Sequence, residues 1–237
     1  MDALFLIAVS FCSSTLTAVI GLGGGILLIS VMPGLLPAAA VVPVHGVVQL
    51  ASNASRVSFG LRHVEWRICA PFAVGAVVGA AIGSRFVVAL PSNYLPLIIG
   101  CFVLITVWLP GLKRAFRLPG RFASLGAIQT FISLFVGAAG PLTTPFLLRE
   151  GLPRDRMVVT HGSLMTVVHL LKILTFGFLG FAFSPYLYLI AGMIVSVTAG
   201  SYAGTRLRPH LPEELFRKLF KVVVTGLALR MIVRFFL

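Results

Sequence analysis

The sequence predicts an all-α membrane protein that crosses the bilayer many times, and its composition is the first reason. Of the 237 residues, 58% are hydrophobic and only 11% are charged, whereas soluble domains have roughly 25% charged residues. The mean hydropathy is +1.04. Because a bilayer core of about 30 Å needs roughly 20 apolar residues per helix, the recurrence of long apolar segments along the whole chain leaves no stretch for a soluble domain.

Two breaks in the apolar pattern are the second observation. Apolar segments lie near 3–20, 24–37, 41–61, 68–90, 94–112, 122–140, 141–149, 157–180, 185–205 and 216–237. Two of them, after GLGGG (21–25) and GAAGP (137–141), are too short to cross, and glycine and proline disfavour continuous helix there. Broken backbone at membrane depth is tolerated only when protein buries it or when it lines a cavity. Each break therefore predicts a hairpin, although residues 3–37 are compatible with a re-entrant or a spanning path.

An internal repeat is the third observation. Six landmarks recur in the same order at spacings of 115 to 121 residues: Gly25 and Gly140, Pro37 and Pro153, His45-Gly46 and His161-Gly162, Arg56 and Lys172, Arg85 and Arg206, Pro91 and Pro212. Such an ordered series indicates a duplicated unit. The predicted repeats are residues 1–118 and 119–237.

The distribution of Lys and Arg predicts that the two repeats are inverted. Cytoplasmic loops are enriched in these residues. With Lys172 set aside, a chain of eight simple crossings would place nine Lys and Arg residues on each side of the membrane. If residues 122–149 fold back instead, fifteen Lys and Arg residues lie on one side, and only Arg85, Arg230 and Arg234 lie on the other. We therefore predict two inverted repeats, each a glycine-broken hairpin followed by three transmembrane helices. In transporters with inverted repeats, substrates bind near the midplane at broken helices.

Several motifs resemble the TauE/SafE family of sulfite and organosulfonate exporters. They are GLGGGILLIS (21–30), GAVVGAAIGSRF (75–86), GAAGPLTTPFLL (137–148) and AGSYAGTRL (199–207). The resemblance extends over nearly the whole chain and implies secondary transport, by export, of small sulfur-containing anions across a bacterial-type cytoplasmic (inner) membrane. Members differ in substrate and direction. The chain departs from the family pattern at Ser30, where proline is usual, and at Ala138-Ala139, where glycines are usual.

An anion site needs hydrogen-bond donors and positive potential, which free helix N-termini supply. Candidate substrate-binding residues are the glycines and proline of the breaks and the polar residues of the long helices after them: Gly23, Gly24, Gly25, His45, Gln49, Asn53, Gly140, Pro141, His161, Thr166, His169 and Lys172. Two alternatives stay open. The glycines of the breaks serve close helix packing instead, as we expect of the glycines in 75–83 and 192–204, or the histidines are structural.

Four cations near helix ends or inside helices need separate interpretation. Lys172 lies about fifteen residues into its helix without another charge nearby, which favours a role in the substrate pathway. Arg56 is followed by Arg62 and Arg67, which favours anchoring at the headgroups by snorkelling. Arg85 and Arg206 fit gating and interfacial anchoring equally.

The sequence also argues against other classes of function. All six carboxylates lie at a terminus or in predicted loops, so none is placed to relay protons inside the membrane. Three scattered cysteines suggest no metal site, and no cofactor is expected. The net charge of +13 is assigned mainly to cytoplasmic loops and anionic lipid rather than to nucleic acid; a homodimer is left open. The alternative, an intramembrane enzyme or assembly factor using His45 and His161, lacks a recognised catalytic motif.

Overall fold

The computed structural model describes residues 2–20, 23–58, 60–87, 94–108, 120–207 and 213–236, and these residues include ten α-helices. The helices are α1 (Asp2–Ile20), α2 (Gly24–Val31), α3 (Ala38–Ser58), α4 (Trp66–Val87), α5 (Leu95–Trp108), α6 (Arg121–Val136), α7 (Thr144–Leu148), α8 (Arg154–Phe178), α9 (Leu187–Leu207) and α10 (Glu213–Phe236). The predicted repeat boundary at 118 and the matched pair Pro91 and Pro212 lie outside the described residues.

Within the described parts of the chain, four stretches are long and apolar enough to cross a bilayer: Asp2–Val19, Trp66–Val87, Asp155–Phe178 and Ser184–Leu207. α5 and α6 are apolar but shorter. α3 has 21 residues, and its second half contains Gln49, Asn53 and Arg56, which lower its hydropathy. The chain is therefore an all-helical polytopic membrane protein, as its composition predicts.

The helices are interrupted where the sequence predicts breaks. α1 ends at Ile20, and α2 begins after Gly23, whose φ of 100° suits glycine. α6 ends at Val136 and is followed by Gly137, with φ of 75°. The two breaks lead into helices of different length. α2 has eight residues, whereas the second break leads through a 3-10 turn at Gly140–Leu142 into α7, which has five.

α3 and α8 pack side by side and run in opposite directions. Gly46, early in α3, lies against Lys172, late in α8, and Gly162, early in α8, lies against Val57, late in α3. The apolar core has two clusters, one built by α1, α2, α3, α5, α9 and α10 and the other by α4, α6, α7 and α8. The contact between α3 and α8 therefore joins the two clusters.

α1 packs along α9 and α6 packs along α4, with the helices of each pair running in the same direction. Glycines permit these approaches: Gly75 and Gly79 lie against Ala123 and Ala127, and Gly200 and Gly204 lie against Phe11 and Thr15. At each of the four glycines a Cβ atom would overlap the carbonyl oxygen of its neighbour. This confirms the packing interpretation of these two glycine patterns.

A cluster of charged side chains joins three connections at one end of the helices. Arg121 pairs with Glu150 at 2.9 Å, Arg156 donates to Glu65 at 2.6 Å, and Arg67 lies within 3.6 Å of both carboxylates. The hydrogen bond from Arg156 lowers the pKa of Glu65 below its ordinary value, which favours the ionised carboxylate that pairs with the arginines. The start of α6 and the end of α7 consequently lie next to each other.

We expect Gly79→Leu to destabilise the protein strongly, because the new side chain would force α4 away from α6. Overpacking of this kind costs roughly 1–3 kcal/mol, occasionally more. The measurement is thermal unfolding and the monodisperse fraction of purified protein in detergent. The matched control is Gly226→Leu on α10, where no described atom lies within 4 Å of a Cβ position. Equal stability of the two variants would contradict the close α4–α6 contact.

Candidate functional site

α3 and α8 each place a line of polar side chains inside the protein. His45, Gln49 and Asn53 follow one another at intervals of four residues on α3, and His161 and His169 are eight residues apart on α8. Such spacing keeps side chains on one face of a helix. All five are buried. Because buried polar groups need partners, their neighbours indicate what these helices do.

The two matched histidines bond to the two matched glycines of the breaks. His45 Nε2 lies 2.9 Å from the carbonyl oxygen of Gly25, and His161 Nε2 lies 3.3 Å from that of Gly140. A carbonyl oxygen only accepts, so Nε2 is the protonated nitrogen in both rings. α3 and α8 therefore each donate a hydrogen bond to the helix break that precedes them in the chain.

Lys172 is fully buried and bonds to the end of α6. Its Nζ donates to the carbonyl oxygen of Gly137 at 2.5 Å and lies 3.3 Å from His169 Nδ1. Gly137 follows the C-terminus of α6, where the helix dipole favours a cation. The sequence favours a role for Lys172 in the substrate pathway because no other charge lies nearby. The structure gives the ammonium a different partner, since backbone carbonyl groups at a helix end also stabilise a cation.

The glycine after each histidine makes room for the facing helix. A Cβ atom at Gly46 would lie 3.0 Å from Lys172 Cδ, and one at Gly162 would lie 3.3 Å from Val57 Cγ2. The repeated His-Gly pair thus combines a donor for the broken backbone with a gap for the neighbouring helix. This explains why the pair recurs at both positions.

A cavity of about 40 Å³ lies where the breaks meet α3 and α8. A water molecule needs roughly 10–15 Å³, so the cavity has space for a few water-sized groups. Its described lining contains residues from both halves of the chain and no carboxylate: Thr17, Gly23, Gly25, Ile26, His45, Gln49, Asn53, Arg56, Ala138, Gly140, Pro141, His161, Met165 and His169. Among the described residues, no group of His, Cys, Asp and Glu is arranged to hold a metal ion.

Nine of the twelve candidate substrate-binding residues line this cavity, and three do not. Gly24 faces α1, where a Cβ atom would overlap the carbonyl oxygen of Ser13, so it is a packing glycine. The Thr166 hydroxyl donates to Gly162 within its own helix. Lys172 lies behind His169 rather than in the lining.

Arg56 has the opposite placement from the one its sequence context favours. Its side chain is only 7% exposed and lines the cavity. Nη2 donates to Asn53 Oδ1 at 2.6 Å, whereas Nη1 is buried and has no hydrogen-bond partner among the described residues. Arginine stays protonated in proteins. The cavity therefore has a permanent positive charge, and one terminal nitrogen of the guanidinium is free to donate to a ligand.

Backbone amides add to this donor set at the first break. α2 begins at Gly24, and its N-terminal end meets the cavity through Gly23 and Gly25. The first amides of a helix lack intrahelical acceptors and lie at the positive end of the dipole. At the second break, Gly140 and Pro141 line the cavity from the start of a 3-10 turn that leads into the short helix α7.

Arg85 and Arg206 lie on the outside of the protein. Both are exposed in the last turns of α4 and α9, and neither lines the cavity. The Arg206 guanidinium lies 5.3 Å from the centre of the Tyr202 ring. This arrangement favours anchoring over gating. The lining residues that were not among the sequence-based candidates are Thr17, Ile26, Ala138 and Met165. Ile26 and Ala138 lie within the two glycine motifs, but their apolar side chains gave no reason to choose them.

Comparison with known proteins identifies the family. No curated protein and no solved structure matches the chain significantly. A family model does match: the one described as sulfite exporter TauE/SafE, over residues 6–231, which is nearly the whole chain. The glycine motifs, the helix breaks and the cavity between them all lie within this range. The chain belongs to the TauE/SafE family of membrane transporters.

Proposed function

We propose that this protein is a secondary transporter that exports small sulfur-containing anions, such as sulfite or an organosulfonate, across a bacterial-type cytoplasmic membrane. Family membership supports the class of transporter. The substrate site is the cavity between the two breaks, and alternate opening of this cavity to the two sides of the membrane moves the anion.

The observation that favours an anion as the substrate is Arg56 Nη1, which has no hydrogen-bond partner among the described residues. A buried charge is costly unless it is paired, and the described residues that line the cavity offer Arg56 only the neutral side chain of Asn53. Sulfite and sulfonate groups present oxygen atoms that suit the planar fork of a guanidinium. An anion that accepts from Nη1 would complete the pairing.

The remaining polar groups orient the anion or hold the breaks. Gln49 and the amides at the start of α2 are donors at the cavity wall. The side chains of His45, His161 and Lys172 donate hydrogen bonds to backbone carbonyl oxygens of the breaks. The enzyme alternative has no support here, because both histidines bond to backbone carbonyls and the described lining has no carboxylate to orient a base.

We also propose that the two halves form inverted repeats. Three packing features support this: α3 and α8 run antiparallel, α1 pairs with α9 as α6 pairs with α4, and each matched histidine contacts its matched glycine. The ion pair between Arg121 and Glu150 brings both ends of the second hairpin together. A pseudo-twofold axis between α3 and α8 would relate the halves.

The direct test of function is flux into proteoliposomes that contain the purified protein. The panel is sulfite, thiosulfate, sulfoacetate, taurine and sulfate, each offered as a concentration gradient. We expect saturable flux of at least one sulfite-like or sulfonate anion above that of protein-free vesicles. Absence of flux for the whole panel, with correctly folded protein, would refute the proposed function.

The inverted arrangement predicts that reporters inserted after Arg121 and after Arg156 lie on the same, cytoplasmic face, because the hairpin between them folds back. A reporter after Gly180, in the turn between α8 and α9, should lie on the opposite face. Accessibility to a membrane-impermeant label in intact and permeabilised cells measures this. Labelling of the first two sites from opposite faces would remove both the fold-back and the inversion.

We expect Arg56→Gln to weaken the apparent affinity for the transported anion roughly 10- to 100-fold, because a hydrogen bond to a charged group contributes about 1.5–3 kcal/mol. Arg56→Lys should retain part of the affinity, since an ammonium keeps the charge but loses the fork. Concentration-dependent flux measures this. The matched control is Arg206→Gln on the exposed end of α9. Unchanged affinity in Arg56→Gln would remove Arg56 from the site.

We expect Lys172→Gln to act by a different route, because Lys172 positions the end of α6 and does not line the cavity. Loss of the ammonium should lower the thermal stability and the maximal flux, while the apparent affinity changes less than in Arg56→Gln. Separate measurement of maximal rate and half-saturation concentration distinguishes the two. A selective loss of affinity with unchanged stability would return Lys172 to the substrate pathway.

A further inference from the structure

His45 has a second ring nitrogen that no described residue uses. Nε2 donates to the carbonyl oxygen of Gly25, so the neutral ring carries its lone pair on Nδ1. Nδ1 is buried without a hydrogen-bond partner in the described part of the chain, and the side chain is 0% exposed. His45 is one of the residues that line the cavity, and its Nδ1 lies next to the second break, 3.6 Å from the position of a Cβ atom at Gly137. An unpaired acceptor beside an anion site is unfavourable, because a lone pair repels the anion.

The described surroundings of His45 contain only groups that are neutral or positive. Lys172, His169 and His161 approach from α8, and Arg56 lies on α3 itself. Of the other elements that contribute lining residues, the described parts of α1 and α2 and the turn at 138–141 supply no titratable group to the lining. No carboxylate of a described residue lies in this cluster. An anion in the cavity is therefore the source of negative charge that can offset a second cation here.

The contact between Lys172 and His169 limits how many charges the empty cluster holds. A hydrogen bond from Lys172 Nζ to His169 Nδ1, at 3.3 Å, requires Nδ1 to be unprotonated. The His169 ring lies 5.8 Å from the His45 ring. A proton on His45 is repelled by the Lys172 ammonium while the cavity is empty. This repulsion is offset when the anion enters.

We infer that each anion is carried together with one proton, which binds at Nδ1 of His45. This step rests on the proposed function. The proton from the entry side adds to the Nδ1 lone pair to give an imidazolium, and it leaves to the exit side with the anion, which restores the neutral ring. Coupling is reciprocal, so the anion raises proton affinity by the factor by which the proton raises anion affinity.

The inference changes what drives the transport. For a monovalent sulfonate the carried unit has no net charge, so membrane potential does no work on it. The direction of flux then follows the anion gradient and the pH gradient. The protein exports the anion together with a proton when the outward anion gradient exceeds any inward proton gradient.

The test uses isethionate, a sulfonate that stays ionised near neutral pH and so brings no proton of its own. Proteoliposomes hold a trapped pH dye, and valinomycin with potassium sets the membrane potential. With wild-type protein we expect inward isethionate flux to acidify the lumen by about one proton per anion, and the flux to be independent of the potential. Thiosulfate serves as the second ionised probe if isethionate is not transported.

His45→Gln is the informative variant, because a glutamine amide still donates to Gly25 but cannot take up a proton. We expect anion flux without lumen acidification and with a new dependence on membrane potential. His63→Gln, in the 3-10 turn after α3 and outside the cavity lining, is the matched control and should keep the proton movement.

The outcomes separate the two proposals. Anion flux by wild-type protein without proton movement overturns the coupling and leaves the proposed function standing. Flux that speeds up in acid but moves no proton also overturns it. Absence of flux for isethionate, thiosulfate and the rest of the panel, with correctly folded protein, overturns the proposed function and the coupling with it. The wild-type proton-to-anion ratio decides the question even if His45→Gln does not fold.

Discussion

Backbone carbonyl groups freed at the two helix breaks must be hydrogen-bonded within the protein, because the hydrocarbon core of a bilayer offers them no water. Three donors from α3 and α8 meet this requirement: His45 bonds to Gly25, His161 to Gly140, and Lys172 to Gly137. The breaks are thereby tied to the two long helices that face each other. The position of the cavity, and the kinds of residue around it, depend on these bonds.

This requirement also explains the charge of the site. The side chains that hold carbonyl oxygens are donors, and two of the three are histidines, which donate from Nε2 without needing a charge. Arg56 is different, because its guanidinium has more donors than Asn53 can accept. With no carboxylate in the described lining, the site has an excess of donors and positive charge. A small oxyanion is the complement of such a surface, and its size is limited by a cavity of about 40 Å³.

The candidate site was partly predictable from the sequence, and the errors of that prediction have physical causes. Helical periodicity places His45, Gln49 and Asn53 on one face, and the cavity lies on that face. Lys172 and Arg56 exchange their expected positions, since Arg56 lines the cavity and Lys172 does not. The partner of Lys172 is a carbonyl group 35 residues earlier in the chain, at a helix end that no local pattern reveals. Gly24 and Gly25 are adjacent, yet one faces α1 and the other faces the cavity. Their orientation depends on how α2 packs.

The sequence by itself determined the membrane environment, the helix interruptions and the glycine patterns that permit close packing. These features depend on local composition: apolar length decides partition into the bilayer, and glycine and proline decide where a helix stops. Only the tertiary structure decided which polar groups meet, because those contacts join α1, α2, α3, α6 and α8 across large separations in the chain. Arg56 Nη1 and His45 Nδ1, which have no hydrogen-bond partner in the described part of the chain, also depend on these contacts, because the packing of the neighbouring helices decides which buried donors and acceptors are paired.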